Sequence, residues 1–192
     1  MKKLLAVLLT ALFATACNAK PQAEKKEIKP MNTNSKIAVV YFSATGTTKR
    51  VAQNLAQAIG ADLHEIKPLA PYSSADLDWK NKSSRSSVEM NDKSSRPALA
   101  AGDFSVKGYD QVFLGFPIWW GTAPRVVQTF LESQDFANKT IILFATSGSS
   151  GMGNTDKDLK PSVSASTKIV KGKTLNGNPS VEALKYWAQT RE

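Results

Sequence analysis

A short polar loop between an apolar run and an amphipathic segment constrains this chain more than any other feature. Residues 37–42, Ile-Ala-Val-Val-Tyr-Phe, have the continuous apolar character of a strand that is buried on both faces of a parallel sheet. Apolar residues then recur at helical spacing, at Val51, Leu55, Ala58 and Ile59. A buried strand followed directly by a helix is typical of α/β proteins, so the sequence predicts that fold class.

The loop itself, Ser43-Ala44-Thr45-Gly46-Thr47-Thr48, carries four hydroxyl groups and one glycine. It lies where the first N–H groups of the helix have no intrahelical partners and the helix dipole is positive, so an anion is stabilised there. We therefore predict a phosphate site. A polar turn with a threonine cap is the alternative interpretation. The candidate residues are Ser43, Thr45, Gly46, Thr47 and Thr48.

Composition excludes several classes of function. A length of 192 residues suits one domain, and 42% hydrophobic content is enough for a core. The formal charge of +9 is spread along the chain without a recognition motif, so we expect no nucleic-acid partner. One cysteine and one histidine argue against a catalytic Cys–His pair, a zinc cluster or an internal disulfide. We expect no metal site.

The N-terminal residues predict export. Residues 1–16 combine a short basic start with an uncharged apolar stretch, which is typical of a signal peptide. Ala14-Thr15-Ala16-Cys17 resembles a bacterial lipobox, in which the cysteine is lipidated. Cleavage after Ala16 by ordinary signal peptidase would instead release a soluble periplasmic or secreted protein.

These features divide the chain into three parts. We expect residues 1–16 to form the signal peptide, residues 17–35 to carry the lipidated Cys17 and a polar, flexible tether, and residues 36–192 to form the folded domain. We expect a protein of the bacterial cell envelope that is anchored by lipid and faces away from the cytoplasm.

Two further loops follow predicted strands at residues 109–116 and 140–145. In an open α/β sheet, ligands bind at the carboxyl ends of the strands, so both loops are candidate binding segments. The first presents two tryptophans between prolines and a glycine, at Pro117, Ile118, Trp119, Trp120 and Gly121. The second is rich in glycine and hydroxyl groups, at Thr146, Ser147, Gly148, Ser149, Gly151 and Gly153.

Together the three loops resemble those of the flavodoxin family. The hexapeptide resembles the pattern S/T-x-T-G-x-T, and residues 117–124 resemble P-x-W-W-G-x-x-P. Over residues 36–190 the resemblance implies a three-layer sandwich with a five-stranded parallel sheet in the order 2-1-3-4-5. It also implies that FMN binds with its phosphate at the hexapeptide and its ring against the other loops. The third loop lacks the tyrosine often found in flavodoxins, which leaves Met152 as a soft apolar contact.

The implied function is that of an FMN-binding redox protein. It would transfer electrons to a redox partner or reduce a small-molecule acceptor of the quinone or flavin type, so carrier and enzyme both remain open. The alternative is an exported binding or structural protein that has lost flavin redox activity.

The sequence also predicts the positions of one further segment and of the single histidine. Residues 68–97 are expected to form a long, irregular segment that resembles an insertion in some bacterial flavodoxin-like proteins and could cover one side of the site. His64 is expected at the surface or at a strand end.

Overall fold

One parallel sheet organises the protein. The computed structural model describes residues 35–191, so the predicted signal peptide and Cys17 lie outside the described residues. The sheet has five strands in the order β2-β1-β3-β4-β5, and all pairs are parallel. This confirms the predicted order 2-1-3-4-5. The strands are β1 (Ile37–Tyr41), β2 (Asp62–Glu65), β3 (Gln111–Pro117), β4 (Thr140–Thr146) and β5 (Lys168–Val170).

Helices cover both faces of this sheet. The described residues contain α1 (Thr47–Ile59), α2 (Arg85–Asn91), α3 (Arg125–Glu132), α4 (Thr155–Leu159) and α5 (Val181–Thr190). Successive side chains of a strand point to opposite faces, so each strand supplies two layers of core. On one face the sheet packs against α1 and α5, and on the other against α3 and α4. The predicted three-layer sandwich is therefore confirmed. None of the described helices combines the length and apolar character needed to span a bilayer.

The segment at residues 68–97 corrects one expectation. It is not irregular throughout, because it contains α2, which begins after Ser84. The Ser84 hydroxyl accepts a hydrogen bond from the N–H of Ser87 and caps the helix. The ends of the segment are closed by backbone pairing, with the Leu69 N–H 2.8 Å from the Ala98 carbonyl oxygen.

Gly115 provides a test of how closely the sheet is packed. A Cβ added to this β3 residue would lie 2.1 Å from Cζ of the buried Phe144. We expect Gly115→Ala to lower the free energy of unfolding by about 1–3 kcal/mol, because the ring has to move within a close-packed core. The matched control is Gly102→Ala, whose Cβ would meet no atom within 4 Å. Equal unfolding midpoints for the two variants in urea would contradict this packing.

Candidate functional site

The first loop joins β1 to α1 through a glycine that needs the left-handed region. Gly46 has φ 84° and stands at the N-cap of α1 without a side-chain capping bond. The threonine-cap alternative is therefore absent from this helix. The hydroxyls of Thr45 and Thr47 lie 3.4 Å apart at the exposed tip, and the buried Ser43 Oγ has no hydrogen-bond partner among the described residues. The helix N-terminus thus presents hydroxyl and N–H donors toward solvent.

A hydrogen bond fixes the first loop to the third. Thr48 is buried at the start of α1, and its Oγ1 lies 2.8 Å from Oγ1 of the buried Thr146, at the end of β4. Either hydroxyl can be the donor. These two predicted site residues therefore bond to each other and hold the two loops together.

The second loop reverses direction within four residues. Trp119 and Thr122 exchange backbone hydrogen bonds of 2.9 and 3.0 Å. Between them Trp120 and Gly121 have φ angles of 48° and 80°. Two consecutive residues with positive φ occur in type I′ turns, where a bulky residue such as tryptophan is strained. Such strain persists only where the surrounding structure maintains it, and strained residues of this kind are concentrated at functional sites.

The two tryptophans of this loop have different environments. The Trp119 ring makes edge contacts with Phe42 and Tyr72, at centroid distances of 5.7 and 5.2 Å. Trp120, by contrast, is 46% exposed. One ring therefore belongs to an aromatic cluster, and the other offers free apolar surface.

Hydrogen bonds between its own serines, and one to Asn176, stabilise the third loop. The hydroxyls of Ser147 and Ser150 lie 2.9 Å apart, and the Ser147 N–H donates to Oδ1 of Asn176 at 2.9 Å. Met152, expected as a soft contact to the ligand, is instead buried in the hydrophobic core. That expectation was wrong, because Met152 packs beneath the loop.

The second and third loops also touch directly. A Cβ on Gly153 would lie 2.6 Å from the carbonyl oxygen of Gly121, and Gly153 has φ 52°. The Ile118 N–H donates to the Thr146 carbonyl oxygen at 2.9 Å. These glycines therefore permit a close backbone approach between the loops.

The three loops border one cavity of about 590 Å³ at the carboxyl edge of the sheet. Nine of the predicted site residues line it: Thr45, Thr48, Pro117, Ile118, Trp119, Trp120, Ser147, Gly148 and Ser149. Ala44 and Ser150, from the same loops, complete this part of the wall.

The remaining predicted residues lie around the cavity. Thr47 lines an adjoining cavity of about 250 Å³, together with Ser147 and Gly148. Ser43 lines another, of about 410 Å³. Gly151 is exposed at the tip of the third loop.

Sequence reasoning placed residues 68–97 where they could cover one side of the site, but it did not identify which of these residues line the cavity. Leu77, Trp79 and Ser86 line the same cavity, and Trp79 is 69% exposed. Ser86 is buried, and its Oγ has no hydrogen-bond partner among the described residues. The one available signal was the position of this segment after the second strand, which allowed it to reach the site.

A buried arginine holds α2 against α3. Arg125 is 7% exposed, and its guanidinium donates to the carbonyl oxygens of Met90 and Asp92 at 2.9 and 3.1 Å. These groups lie at the C-terminal end of α2, where unpaired carbonyls and the helix dipole favour a cation. Burial lowers the pKa of Arg125, and its hydrogen bonds to these carbonyls and to Gln128 offset the cost of desolvation.

A second cluster joins α2 to the aromatic side of the site. The Tyr72 hydroxyl donates to Glu89, and Arg85 Nε donates to the same carboxylate at 2.7 Å. The Arg85 guanidinium lies 4.1 Å from the centre of the Tyr72 ring. Burial and the hydrogen bond to Glu89 raise the pKa of Tyr72, so its hydroxyl remains a donor.

His64 lies outside this cavity. It is partly buried on β2, where its ring stacks on Phe104 with a centroid distance of 4.0 Å. Burial and the charge of Lys67 lower the pKa of His64. Within residues 35–191, no group of His, Cys, Asp and Glu side chains is placed to bind a metal ion.

The structural relatives of this chain are flavoproteins. A protein assigned as a flavoprotein from Bacteroides eggerthii DSM 20697 is 49% identical, with a TM-score of 0.75 over 80% of this chain and 96% of that one. A second, from Bacteroides uniformis ATCC 8492, is 48% identical, with a TM-score of 0.74 over 81% of this chain and 99% of that one.

A more distant structure has the same fold. A flavoprotein in complex with FMN from Lactobacillus acidophilus NCFM has 18% identity and a TM-score of 0.56, over 71% of this chain and 91% of its own. No protein among those with curated descriptions matches this sequence. The family model described as Flavodoxin matches residues 36–191, which is most of the chain. This chain therefore belongs to the flavodoxin family.

Proposed function

We propose that this chain is an FMN-binding redox protein that passes electrons to a redox partner or to a small acceptor of the quinone or flavin type. The main observation behind this proposal is the cavity of about 590 Å³. The N-terminus of α1, the exposed Trp120 and the glycine-containing third loop meet there. The FMN complex of the structurally similar Lactobacillus protein supports the choice of cofactor.

The residues present fit the phosphate of FMN. Thr45 and Thr47 supply hydroxyl donors beside the N-terminus of α1, where the helix dipole favours an anion. Ser43 adds a buried hydroxyl that lacks a partner among the described residues, as expected of a group that bonds to a ligand. We assign the phosphate to this loop.

The remaining walls fit a flat, largely apolar ring. Trp120 supplies an exposed aromatic surface, and the loop at residues 147–150 allows close backbone approach. When bound, FMN supplies the reversible uptake and release of electrons, while the chain binds it, orients it and limits its contact with water. The acceptor would approach over the exposed rings of Trp79 and Trp120.

We also propose that Cys17 anchors the protein to a membrane of the cell envelope. The sequence Ala14-Thr15-Ala16-Cys17 supports this, because it places the single cysteine directly after an apolar stretch. The FMN site would then face away from the cytoplasm, and the residues between Cys17 and the folded domain would connect it to the membrane.

Purification tests the function directly. The full chain, incubated with FMN and freed of excess ligand, should be yellow and release about one FMN per chain on denaturation, as a single site requires. Addition of dithionite should bleach the bound flavin, and a soluble quinone should restore its colour. A folded protein that stays colourless after reconstitution would overturn the proposal and favour the alternative without flavin.

Removing the hydroxyls of the first loop should weaken FMN binding. Hydrogen bonds to a charged group contribute about 1.5–3 kcal/mol, so Thr45→Val and Thr47→Val should each raise the Kd about 10- to 150-fold. Quenching of flavin fluorescence measures the Kd. The matched control is Thr140→Val, at the amino end of β4 and the opposite edge of the sheet. Unchanged binding in both loop variants would contradict the phosphate assignment.

Replacing Cys17 should release the protein from the membrane. Without the thiol no lipid can be attached, so Cys17→Ser should appear in the soluble fraction or remain as the uncleaved, larger precursor. Cell fractionation with immunoblotting measures both results, and the wild-type chain is the reference. A variant that fractionates and migrates like wild type would contradict the lipid anchor.

A further inference from the structure

We propose that Ser86 of α2 forms a hydrogen bond to the bound FMN, which makes the segment at residues 68–97 part of the cofactor site. The inference rests on the proposed function, and it adds a binding residue from outside the three loops.

The state of the Ser86 hydroxyl motivates the inference. Ser86 is 1% exposed, and its Oγ has no hydrogen-bond partner among residues 35–191. Native proteins pair nearly all buried hydroxyls, so an unpaired one calls for a missing partner. Ser86 lines the same cavity as Thr45 and Trp120, so a ligand in that cavity would meet it.

The neighbouring serines show that the lack of a partner is specific to Ser86. The hydroxyls of Ser84 and Ser87 lie 2.9 Å apart, and Ser84 Oγ also accepts from the Ser87 N–H. Both residues are buried in the same helix turn as Ser86. Two of the three buried serines therefore stabilise the helix, and the third faces the cavity.

The backbone of α2 holds Ser86 in this position. The Ser86 N–H donates to the carbonyl oxygen of Asp76 at 3.0 Å, and Arg125 binds the other end of the helix. A fixed hydroxyl that can both donate and accept fits a polar oxygen or nitrogen of FMN.

A pair of serine variants separates binding from folding. Ser86→Ala should raise the Kd for FMN about 2- to 12-fold, which is the range expected for one neutral hydrogen bond. The urea midpoint of the FMN-free protein should stay the same or rise, because the variant removes an unpaired buried hydroxyl. Ser87→Ala should instead lower that midpoint, because it breaks the bond to Ser84, and it should change the Kd less than Ser86→Ala does.

The exposed Ser83 supplies the neutral control, since Ser83→Ala should change neither quantity. Wild-type affinity in Ser86→Ala would overturn this inference and leave the proposed function intact. A fall in the urea midpoint of FMN-free Ser86→Ala, or an equal rise of the Kd in Ser87→Ala, would also overturn it, because the hydroxyl would then act through the helix. Absence of FMN binding by wild type would overturn both proposals.

Discussion

Parallel pairing of β1, β3 and β4 is the constraint on which the candidate site depends. The register places Tyr41 beside Gly115 and Pro117 beside Thr146, so all three strands end at one edge. The strand order reverses at β1, which lies between β2 and β3, and open α/β sheets bind ligands at such a point. The loops carry little regular structure of their own. Their positions follow from the sheet, and the bond between Thr48 and Thr146 fixes two of them together.

The segment at residues 68–97 adds a wall that the sheet does not specify. Its helix is short and rich in serine, so its intrinsic helix propensity is low and tertiary contacts have to hold it. Arg125 supplies such contacts at the C-terminal end, and the bidentate pair between Arg96 and Glu132 adds another, with N–O distances of 2.7 and 2.9 Å. The hydrogen bond from Arg96 lowers the pKa of Glu132, which therefore stays ionised at neutral pH. The side of the site formed by residues 68–97 is thus held in place by two arginine contacts with α3, those of Arg125 and Arg96.

The sequence predicts the sheet well because its three central strands, β1, β3 and β4, are largely apolar runs. Features that depend on contacts between distant parts of the chain were missed. The buried face of α2 includes Ser86, Ser87 and Glu89, so no apolar periodicity marks it as a helix. The different environments of Trp119 and Trp120 depend on rings far away in the chain, which adjacent sequence cannot reveal. The three loops were identified by their residue types, but the pairing of Thr48 with Thr146 required the fold.

The central claim is that three loops and α2 enclose one FMN, and hydrogen exchange of the full chain with and without FMN tests it most directly. FMN should slow amide exchange in residues 43–48, 117–124 and 146–154, and also in residues 76–91. Exchange in β5 and in the loop around Phe104 should stay unchanged, because both lie away from the cavity. Protection confined to other segments, or no protection at saturating FMN, would contradict the account.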